Sequence, residues 1–479
     1  MKVYNTLSGR KEEFVALGGE VRMYVCGVTP YDACHIGHAM SYIIFDVVRR
    51  YLEFKGYRVK HVQNFTDIDD KINARANELG IPPQELAKRF IDEYFEQMDT
   101  LNVKRAHIYP KATEEIPTII EVISGLVQNG HAYEAKGDVY FRVQRKADYG
   151  KLSHRSLDGI MAGARIEVEE AKEHPLDFAL WKAAKPGEPC WPSPWGPGRP
   201  GWHIECSAMS IKYLGNSLDI HGGGQDLIFP HHENEIAQSE SLTGVTFVRY
   251  WLHNGLLQLG QDKMSKSAGN LITVKDALAR YSPDAIRLFV LNSHYRSPIT
   301  YSEEELEAME KSAERLRFVA WAPAGTGEPN IKPQVSPARS FRYMPLSRDH
   351  SPSYKQKFIE AMDDDFSTPK AVAVLFDFAR HINRGREEGL DVHKEQETFR
   401  ELAGILGLTL KETEKEELAR AIPPIELIEL LISVREELRA EGNWALADKI
   451  RSRLGELGIV LEDTAKGTVW HYRKPTIET

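Results

Sequence analysis

The sequence predicts an α/β fold in which a Rossmann-type parallel-sheet domain contains an inserted connective domain and is followed by an α-helical bundle and a small C-terminal domain. Residues 21–27 form a short apolar run ending in glycine, as buried strands of parallel sheets do. Apolar residues then recur at helical spacing over 38–57, and residues 57–65 return to a strand-like pattern. This strand–helix–strand order is the unit of a nucleotide-binding sheet, whose ligands lie beyond the carboxyl ends of the strands.

The rest of the chain divides by its residue pattern. Residues 85–195 look like an insertion, with helices first, then a strand-like segment over 138–143 and a stretch rich in proline and tryptophan. Amphipathic helices dominate after residue 274, except that 322–354 is dense in Pro, Gly, Ser and Arg and offers little to bury. The predicted divisions are 1–84 with 196–260 for the sheet domain, 85–195 for the insertion, 261–321 for a lysine-containing loop and helices, 322–354 for a linker or mobile insertion, 355–415 for the helical bundle, and 416–479 for the C-terminal domain.

The composition is that of an ordinary globular protein, with 42% hydrophobic and 27% charged residues. The formal net charge is −9, so a surface that binds nucleic acid must be a local basic patch. The N-terminus has no apolar signal core, and no apolar run approaches the roughly 18 residues of a membrane span. We therefore expect a cytoplasmic protein with no membrane contact. Four cysteines are too few for a disulfide framework in 479 residues, which favours reduced thiols.

The first candidate site is the run His35-Ile-Gly37-His38, just after a predicted strand and at the start of a helix. Unpaired backbone N–H groups and the helix dipole attract phosphate at such a position, and two imidazoles can add hydrogen bonds. Gly37 allows a nucleotide to approach closely. Taken alone, the run fits a simple loop with two histidines equally well.

The second candidate site is the polar run from Lys263 to Ser267, which also contains Lys266. Two ammonium groups on a closing loop stabilise the charge that develops as pyrophosphate leaves. Alone, this run fits a solvated surface loop. However, it follows the His35–His38 run by more than two hundred residues, so both halves of an ATP-activating site occur in the expected chain order.

A third set combines thiols, an imidazole and a carboxylate. Cys26 ends the first strand-like run, and Cys206 follows in Trp-His-Ile-Glu-Cys. His231 and Glu235 are four residues apart, so on a helix both side chains can reach one ion. Such groups are plausible zinc ligands; a closed structural zinc site and buried thiols without metal are the alternatives. The His-Glu-x-x-His motif of metalloproteases does not occur in the sequence.

These motifs resemble those of the cysteinyl-tRNA synthetases, a family of class I aminoacyl-tRNA synthetases. Besides the three sets above, the resemblance rests on matching residues in 26–29, 64–71, 201–210, 221–235, 361–366 and 461–464. The motifs follow the family order and cover nearly the whole chain, apart from 322–354.

The resemblance implies that the protein activates L-cysteine with ATP, forming cysteinyl adenylate and pyrophosphate, and transfers cysteine to the 3′ terminal adenosine of tRNA(Cys). It implies one zinc ion per chain, held by Cys26, Cys206, His231 and Glu235 and binding the substrate thiolate. Zinc favours this soft thiolate over the hydroxyl of serine, so no editing domain is required. It also implies that His35, Gly37, His38 and Lys266 bind ATP, that His35, His38, Lys263 and Lys266 act in catalysis, and that Gly27, Thr29, Trp202 and His221 shape the amino-acid pocket.

Partners follow from the same resemblance. Mg²⁺ is expected to accompany ATP, although the sequence assigns no carboxylate to it, and a monomer is expected. In the family the C-terminal helices read the anticodon. Cationic residues that suit phosphate contacts, with one aromatic residue for base stacking, are Arg435, Arg439, Lys449, Arg451, Arg453 and Trp444. Acidic residues interleave with them, so a solvated salt-bridged face is an equally good interpretation.

Two other functions remain open from the sequence. A related ligase joins cysteine to an amino sugar in mycothiol synthesis with the same activation chemistry, but its relatives lack an extended anticodon-binding end, which 416–479 supplies here. A zinc-dependent RNA-binding protein without catalysis is disfavoured by the two ATP motifs. Ala74 stands where many relatives have a second lysine proposed to bind pyridoxal phosphate, which weakens the case for a cysteine persulfide side activity.

Overall fold

The computed structural model describes residues 1–163, 171–259, 262–263, 272–322, 349–411, 425–457, 459–464 and 467–472. Lys266 and most of the predicted 322–354 linker lie outside the described residues. The chain divides into two compact units, residues 1–410 and 411–479. None of the described helices is long and apolar enough to cross a membrane.

A parallel sheet forms the centre of the first unit. A short hairpin of β1 (Lys2–Asn5) and β2 (Arg10–Glu13) precedes it. In the described part of the chain the sheet consists of β3 (Val21–Val25), β4 (Val59–Gln63), β9 (Leu218–Gly224) and β10 (Val248–Asn254), in the order β10-β9-β3-β4. All three pairings are parallel, so the four carboxyl ends lie along one edge. The predicted α/β class with a parallel sheet is confirmed.

Helix α1 (Ile36–Phe54) connects β3 to β4 and buries most of its apolar residues against the sheet. The approach is close at Gly222 in β9, where a Cβ atom would lie 2.2 Å from the ring of Phe45. Only glycine therefore fits at this contact. The packing places the N-terminus of α1 at the carboxyl edge of the sheet, which is where the sequence predicted a nucleotide site.

The segment after β4 folds as helices followed by an antiparallel sheet. The helices are α2 (Asp70–Leu79), α3 (Pro83–Thr100) and α4 (Ile116–Gln128), and α5 (Leu157–Gly163) comes later. The strands are β5 (Ala132–Ala135), β6 (Asp138–Phe141), β7 (Phe178–Ala183) and β8 (Gly198–Pro200), paired in chain order. Strand β6 lies where a strand was predicted over 138–143. Phe141 and Trp181 are fully buried in the core beneath this sheet.

The chain then returns to the parallel sheet. Helices α6 (Trp202–Leu214) and α7 (Glu233–Thr243) flank β9 in sequence. After β10 come β11 (Leu257–Leu259), β12 (Asp262–Lys263), α8 (Val274–Arg280), α9 (Pro283–Leu291), β13 (Ile299–Thr300) and α10 (Glu303–Trp321). Strand β11 pairs with both β12 and β13.

Three further helices complete the first unit: α11 (Ser351–Asp363), α12 (Thr368–Glu387) and α13 (His393–Ile405). Their apolar faces share one core with α1 and α9. A buried ion pair reinforces this junction: Nη2 of Arg287 donates to Oδ2 of Asp46 at 2.6 Å, and the same guanidinium donates to the carbonyl of Leu406. The helices after the sheet are thus packed onto α1.

The second unit contains the helices Ile425–Ala440 and Trp444–Glu456 and a hairpin of β14 (Ile459–Thr464) and β15 (Gly467–Tyr472). Arg435 is buried and forms a two-pronged ion pair with Asp463, with both N–O distances at 2.8 Å. Arg439 and Arg451 also reach Asp463, at 2.8 and 3.6 Å. These three arginines therefore form ion pairs with a carboxylate of the hairpin, and their contact with phosphate stays a prediction.

Candidate functional site

The four side chains predicted to bind metal converge at the carboxyl edge of the parallel sheet. Cys26 follows β3 directly, and Cys206 lies on α6. His231 lies in the turn before α7, and Glu235 lies in the first turn of α7. All four are buried. Residues separated by as many as 209 positions therefore meet in one cluster.

Three distances show how closely the four side chains approach one another. The sulfurs of Cys26 and Cys206 are 3.9 Å apart, and the Cys26 sulfur lies 3.7 Å from Oε1 of Glu235. Nε2 of His231 lies 3.0 Å from the same oxygen. A tetrahedral zinc ion with ordinary bond lengths separates such ligand atoms by about 3.3–3.8 Å. The distance from Cys26 to Glu235 matches this range, the two sulfurs lie slightly farther apart, and His231 lies closer to Glu235. The donor set of two sulfurs, one nitrogen and one oxygen suits zinc, so the residues present fit the ion that the sequence predicted.

Two further histidines contact the cluster. Nε2 of His232 lies 3.3 Å from the Cys26 sulfur, and Nδ1 of the same ring lies 2.8 Å from Nε2 of His253. The far nitrogen of His253 lies 2.8 Å from the hydroxyl of Thr6. Ligand atoms of Cys26, His231, His232 and Glu235 all lie within 4.8 Å of one another. Sequence reasoning missed His232 and His253, although His232 adjoins His231 and His253 lies near the carboxyl end of β10.

The electrostatics of the cluster favour a bound cation. Burial raises the pKa of Glu235 and of Cys26 well above their usual values. The hydrogen bond from the Cys26 thiol lowers the pKa of Cys206 to about 7. Burial also lowers the pKa of His232, which keeps that ring neutral. Anionic forms of the acidic groups therefore need a compensating positive charge, which a divalent cation supplies.

The predicted amino-acid pocket residues border the cluster, but they differ in exposure. Trp202 begins α6 with 42% of its surface exposed, and its ring stacks on that of His231 with centroids 4.4 Å apart. His221 is instead fully buried, stacked on Trp251 at 4.6 Å, with Nε2 3.5 Å from the Cys26 sulfur. Trp202 is thus partly open to solvent, whereas His221 is enclosed beside the Cys26 sulfur.

Gly27 and Thr29 belong to the segment that leaves β3. The N–H of Gly27 donates to Oδ1 of Asn64 at 2.9 Å, and the carbonyl of Thr29 accepts from the N–H of Tyr31. A Cβ atom on residue 27 would lie 1.5 Å from the carbonyl oxygen of Asn64. Glycine is therefore required at 27 by the close approach of the two strand ends.

The His35–His38 run forms a reciprocal cap at the start of α1. Nδ1 of His35 accepts from the N–H of His38, and Nδ1 of His38 accepts from the N–H of His35. The two rings stack with centroids 3.7 Å apart, and burial lowers the pKa of His38. In neutral rings whose Nδ1 atoms accept, the proton must reside on Nε2. Both Nε2–H groups are then donors beside the positive end of the α1 dipole.

Backbone hydrogen bonds join this cap to the segment that follows the lysine run of residues 263–267. The N–H of Ile36 donates to the carbonyl of Ile272 at 3.0 Å, and the N–H of Val274 donates to the carbonyl of Cys34 at 2.8 Å. Lys263 lies in β12, although its side chain is outside what the structure describes, as is all of Lys266. The backbone around His35 is thus adjacent to the backbone of residues 272–274.

Three protein-family models together match most of the chain. Residues 14–311 match the model of the class I (C) tRNA synthetase catalytic domain. Residues 357–411 match the DALR domain, and residues 427–470 match the anticodon binding domain of cysteinyl-tRNA ligase.

Curated relatives match over nearly their whole length. A protein of Dehalococcoides mccartyi named cysteine–tRNA ligase is 58% identical over 98% of this chain and 99% of the relative. A cysteine–tRNA ligase of Heliobacterium modesticaldum is 50% identical with the same coverage. Among solved structures, methionyl-tRNA synthetase of Mycobacterium tuberculosis in complex with methionyl-adenylate aligns with a TM-score of 0.57, at 16% identity, over 82% of this chain and 90% of that one. The last similarity is one of fold alone.

Proposed function

Because the chain belongs to the cysteine–tRNA ligase family of class I aminoacyl-tRNA synthetases, we propose that it attaches L-cysteine to tRNA(Cys) at the expense of ATP, and that a zinc ion held by the buried cluster selects the amino acid. The observation that carries the zinc assignment is the geometry of Cys26, Cys206, His231 and Glu235. Their side chains converge in one buried cluster, and two sulfurs, one nitrogen and one oxygen form a donor set that suits zinc.

Zinc bound in this cluster supplies a site that accepts a thiolate and lowers the pKa of the thiol that binds it. Serine differs from cysteine mainly in this one atom, and packing alone discriminates poorly between groups of similar size. The protein's own groups hold the rest of the amino acid. Trp202 covers the site from the solvent side, and the segment of Gly27 and Thr29, next to Cys26 in the chain, borders it.

ATP is bound at the start of α1. The Nε2–H groups of His35 and His38 donate to the triphosphate beside the positive end of the α1 dipole, and Gly37 leaves room for it. The carboxylate of cysteine attacks the α-phosphorus, which forms cysteinyl adenylate and releases pyrophosphate. Lys263 and Lys266 neutralise charge on the departing pyrophosphate, which travels with Mg²⁺.

The ribose hydroxyl of the terminal adenosine of tRNA(Cys) then attacks the acyl carbon, and AMP leaves. In this proposal the sheet domain (1–84 and 196–260) performs both steps, the insertion 85–195 and the segment 261–321 lie towards the acceptor stem, and 416–479 reads the anticodon. In the order of the chain, the linker 322–354 and the bundle 355–415 lie between 261–321 and 416–479. The enzyme acts as a monomer in the cytoplasm.

The test is cysteine-dependent exchange of pyrophosphate into ATP, measured together with zinc content. Wild-type protein should contain about one zinc per chain and prefer cysteine to serine strongly. Cys206→Ser should keep the fold by circular dichroism but lose zinc and most of its affinity for cysteine.

Unchanged cysteine affinity in Cys206→Ser would refute the zinc assignment. Absence of exchange in the zinc-loaded wild type would refute the ligase activity. Cysteinylation of an amino sugar instead of tRNA would assign the protein to the mycothiol-type ligases.

A further inference from the structure

Helices α6 and α7 carry most of the metal cluster. Cys206 lies on α6, Glu235 lies in the first turn of α7, and His231 comes shortly before α7. The two helices pack against each other, and apolar residues of both belong to one hydrophobic core. Apolar contacts have no preferred direction, so they do not by themselves fix how far one helix slides or rotates against the other. Directional contacts between α6 and α7 therefore bear on where the ligands lie.

A buried glutamine makes such contacts. Nε2 of Gln238, on α7, donates to the carbonyl of His203 at 3.0 Å and to the hydroxyl of Ser207 at 2.7 Å, both on α6. The hydroxyl of Ser207 in turn donates to the carbonyl of Glu235 on α7, at 3.4 Å. Gln238, Ser207 and Glu235 are fully buried. We refer to Gln238 and Ser207 as the interhelical bridge.

The hydrogen-bonding groups determine the orientation of the interhelical bridge. The amide of Gln238 has two N–H donors, and two oxygens of α6 accept from them. Rotation of this amide by half a turn would set its oxygen against the carbonyl of His203, so that two acceptors would face each other. Since the hydroxyl of Ser207 accepts from Gln238, its single proton is left for the carbonyl of Glu235. The bonds thus run in one direction, from α7 to α6 and back to α7.

The interhelical bridge lies within one helical turn of the ligands on both helices. Ser207 follows Cys206 directly, and Gln238 comes three positions after Glu235, on the same face of α7. The outer acceptors are main-chain carbonyls, that of His203 on α6 and that of Glu235 on α7. Contacts that end on the main chain of both helices fix the helices themselves, rather than the rotamer of one side chain.

A second polar contact joins the same two segments of the chain. The Nδ1 atoms of His203 and His231 lie 2.9 Å apart. This contact joins two rings and precedes α7, so it orients the imidazole of His231 without fixing the position of α7 along α6. The interhelical bridge acts on the other side of Glu235 in the chain, and on the main chain of the helix.

The interhelical bridge is expected to add little net stability. In the described part of the chain, Oε1 of Gln238 has no hydrogen-bond partner, and an unpaired buried acceptor offsets much of what two hydrogen bonds contribute. If methionine replaces Gln238, the hydroxyl of Ser207 keeps the carbonyl of Glu235, and the carbonyl of His203 keeps its bond within α6. The substitution therefore leaves neither group without a partner, and positioning can be separated from stability by experiment.

We propose that Gln238 and Ser207 are positioning residues that hold α6 and α7 in the register at which their metal ligands meet, so that the cluster binds one zinc ion before cysteine arrives. This inference rests on the proposed function, since it takes the cluster to be the zinc site. Neither residue belongs to the predicted donor set. Both act through the main chains of the two helices.

Gln238→Met tests the interhelical bridge, because it removes both donors and keeps the length of the side chain. Ser207→Ala removes the other member, and Ser239→Ala is its matched control. Ser239 is as fully buried as Ser207, but its hydroxyl has no hydrogen-bond partner in the described part of the chain. Zinc affinity is measured by competition with a chromophoric chelator, ligand geometry by the visible absorption of the protein loaded with Co²⁺, and stability by urea unfolding of the zinc-free protein.

Residues that orient metal ligands typically contribute about 10- to 100-fold to metal affinity. Gln238→Met and Ser207→Ala should each lower zinc affinity and raise the KM for cysteine by about 10-fold, and alter the Co²⁺ bands, which depend on ligand geometry. Gln238→Met should keep the wild-type KM for ATP and urea midpoint. Together the two substitutions should cost less than the product of their separate effects, because they break the same bridge. Ser239→Ala should behave as wild type.

Wild-type zinc affinity and Co²⁺ absorption in folded Gln238→Met would overturn the proposal, as would an equal loss of zinc affinity in Ser239→Ala. Fully multiplicative effects of the two bridge substitutions would also overturn it, because the residues would then act separately. If Gln238→Met does not fold, the comparison of Ser207→Ala with Ser239→Ala decides in the same way. Failure of the proposed function has a different signature: the wild-type protein itself would bind no zinc or lack cysteine-dependent exchange.

Discussion

The guanidinium of Arg287 is fully buried where α9 packs on α1, and removing it should have a large, measurable cost. It pairs with Asp46 at 2.6 Å and donates to the carbonyls of Leu406 at 2.9 Å and Leu101 at 2.9 Å. Arg287→Met keeps much of the side-chain volume but leaves these acceptors without that donor. Removing one partner of a buried pair costs about 3–5 kcal/mol when the remaining charge is left unpaired. Asp46 keeps Arg50 at 2.8 Å, so the expected cost lies at or below the lower end of that range.

Arg280→Met is the matched control. Arg280 precedes α9 and pairs with Glu303, but both side chains are about half exposed, and such pairs contribute about 0–1 kcal/mol. The assay is urea unfolding followed by tryptophan fluorescence. We expect Arg287→Met to lower the free energy of unfolding by at least about 2 kcal/mol more than Arg280→Met. Equal effects of the two substitutions would refute the claim that burial makes the Arg287 pair essential.

Two further predictions concern the site. Gly37→Ala places a Cβ atom 2.9 Å from the ring of His35, so it should displace that ring, break a cap worth about 1 kcal/mol and raise the KM for ATP severalfold. Gly404→Ala, with no neighbour within 4 Å, is the control. An unchanged KM for ATP in Gly37→Ala would contradict the role of the cap. Removal of zinc by a chelator should abolish cysteine-dependent exchange of pyrophosphate into ATP, while fluorescence titration still detects ATP binding. Added zinc should restore the exchange. Full exchange in metal-free protein would exclude the proposed role of zinc.

Local pattern predicted the part of the fold that local physics controls. The apolar run ending at Gly27 and the helical period after His38 correspond to β3 and α1, because strand and helix periodicities are properties of neighbouring residues. The pairing of β6 with β5 and β7 was not predicted. Strand β7 lies 37 residues beyond β6, and no short-range signal specifies which segments pair over such a distance.

The ion pairs of the folded protein show the same limit of prediction from local sequence. Acidic neighbours in sequence suggested a salt-bridged face around Arg435, but its partner is Asp463, 28 residues away on a hairpin. Likewise, the histidine cap of α1 follows from residues three apart, whereas the link from His232 through His253 to Thr6 joins three distant segments. Hydrogen bonds between side chains depend on positions that only packing determines.

By itself the sequence determined the class of the fold, the family and the types of residue available for metal and nucleotide, since these depend on motifs and on periodicity over a few turns. Only the tertiary structure decided that Cys26, Cys206, His231 and Glu235 meet in one buried cluster at the edge of the sheet. The reason is physical. The distances between the side chains of the cluster are set by the packing of α6 and α7 against the sheet, and this packing depends on contacts throughout the first unit.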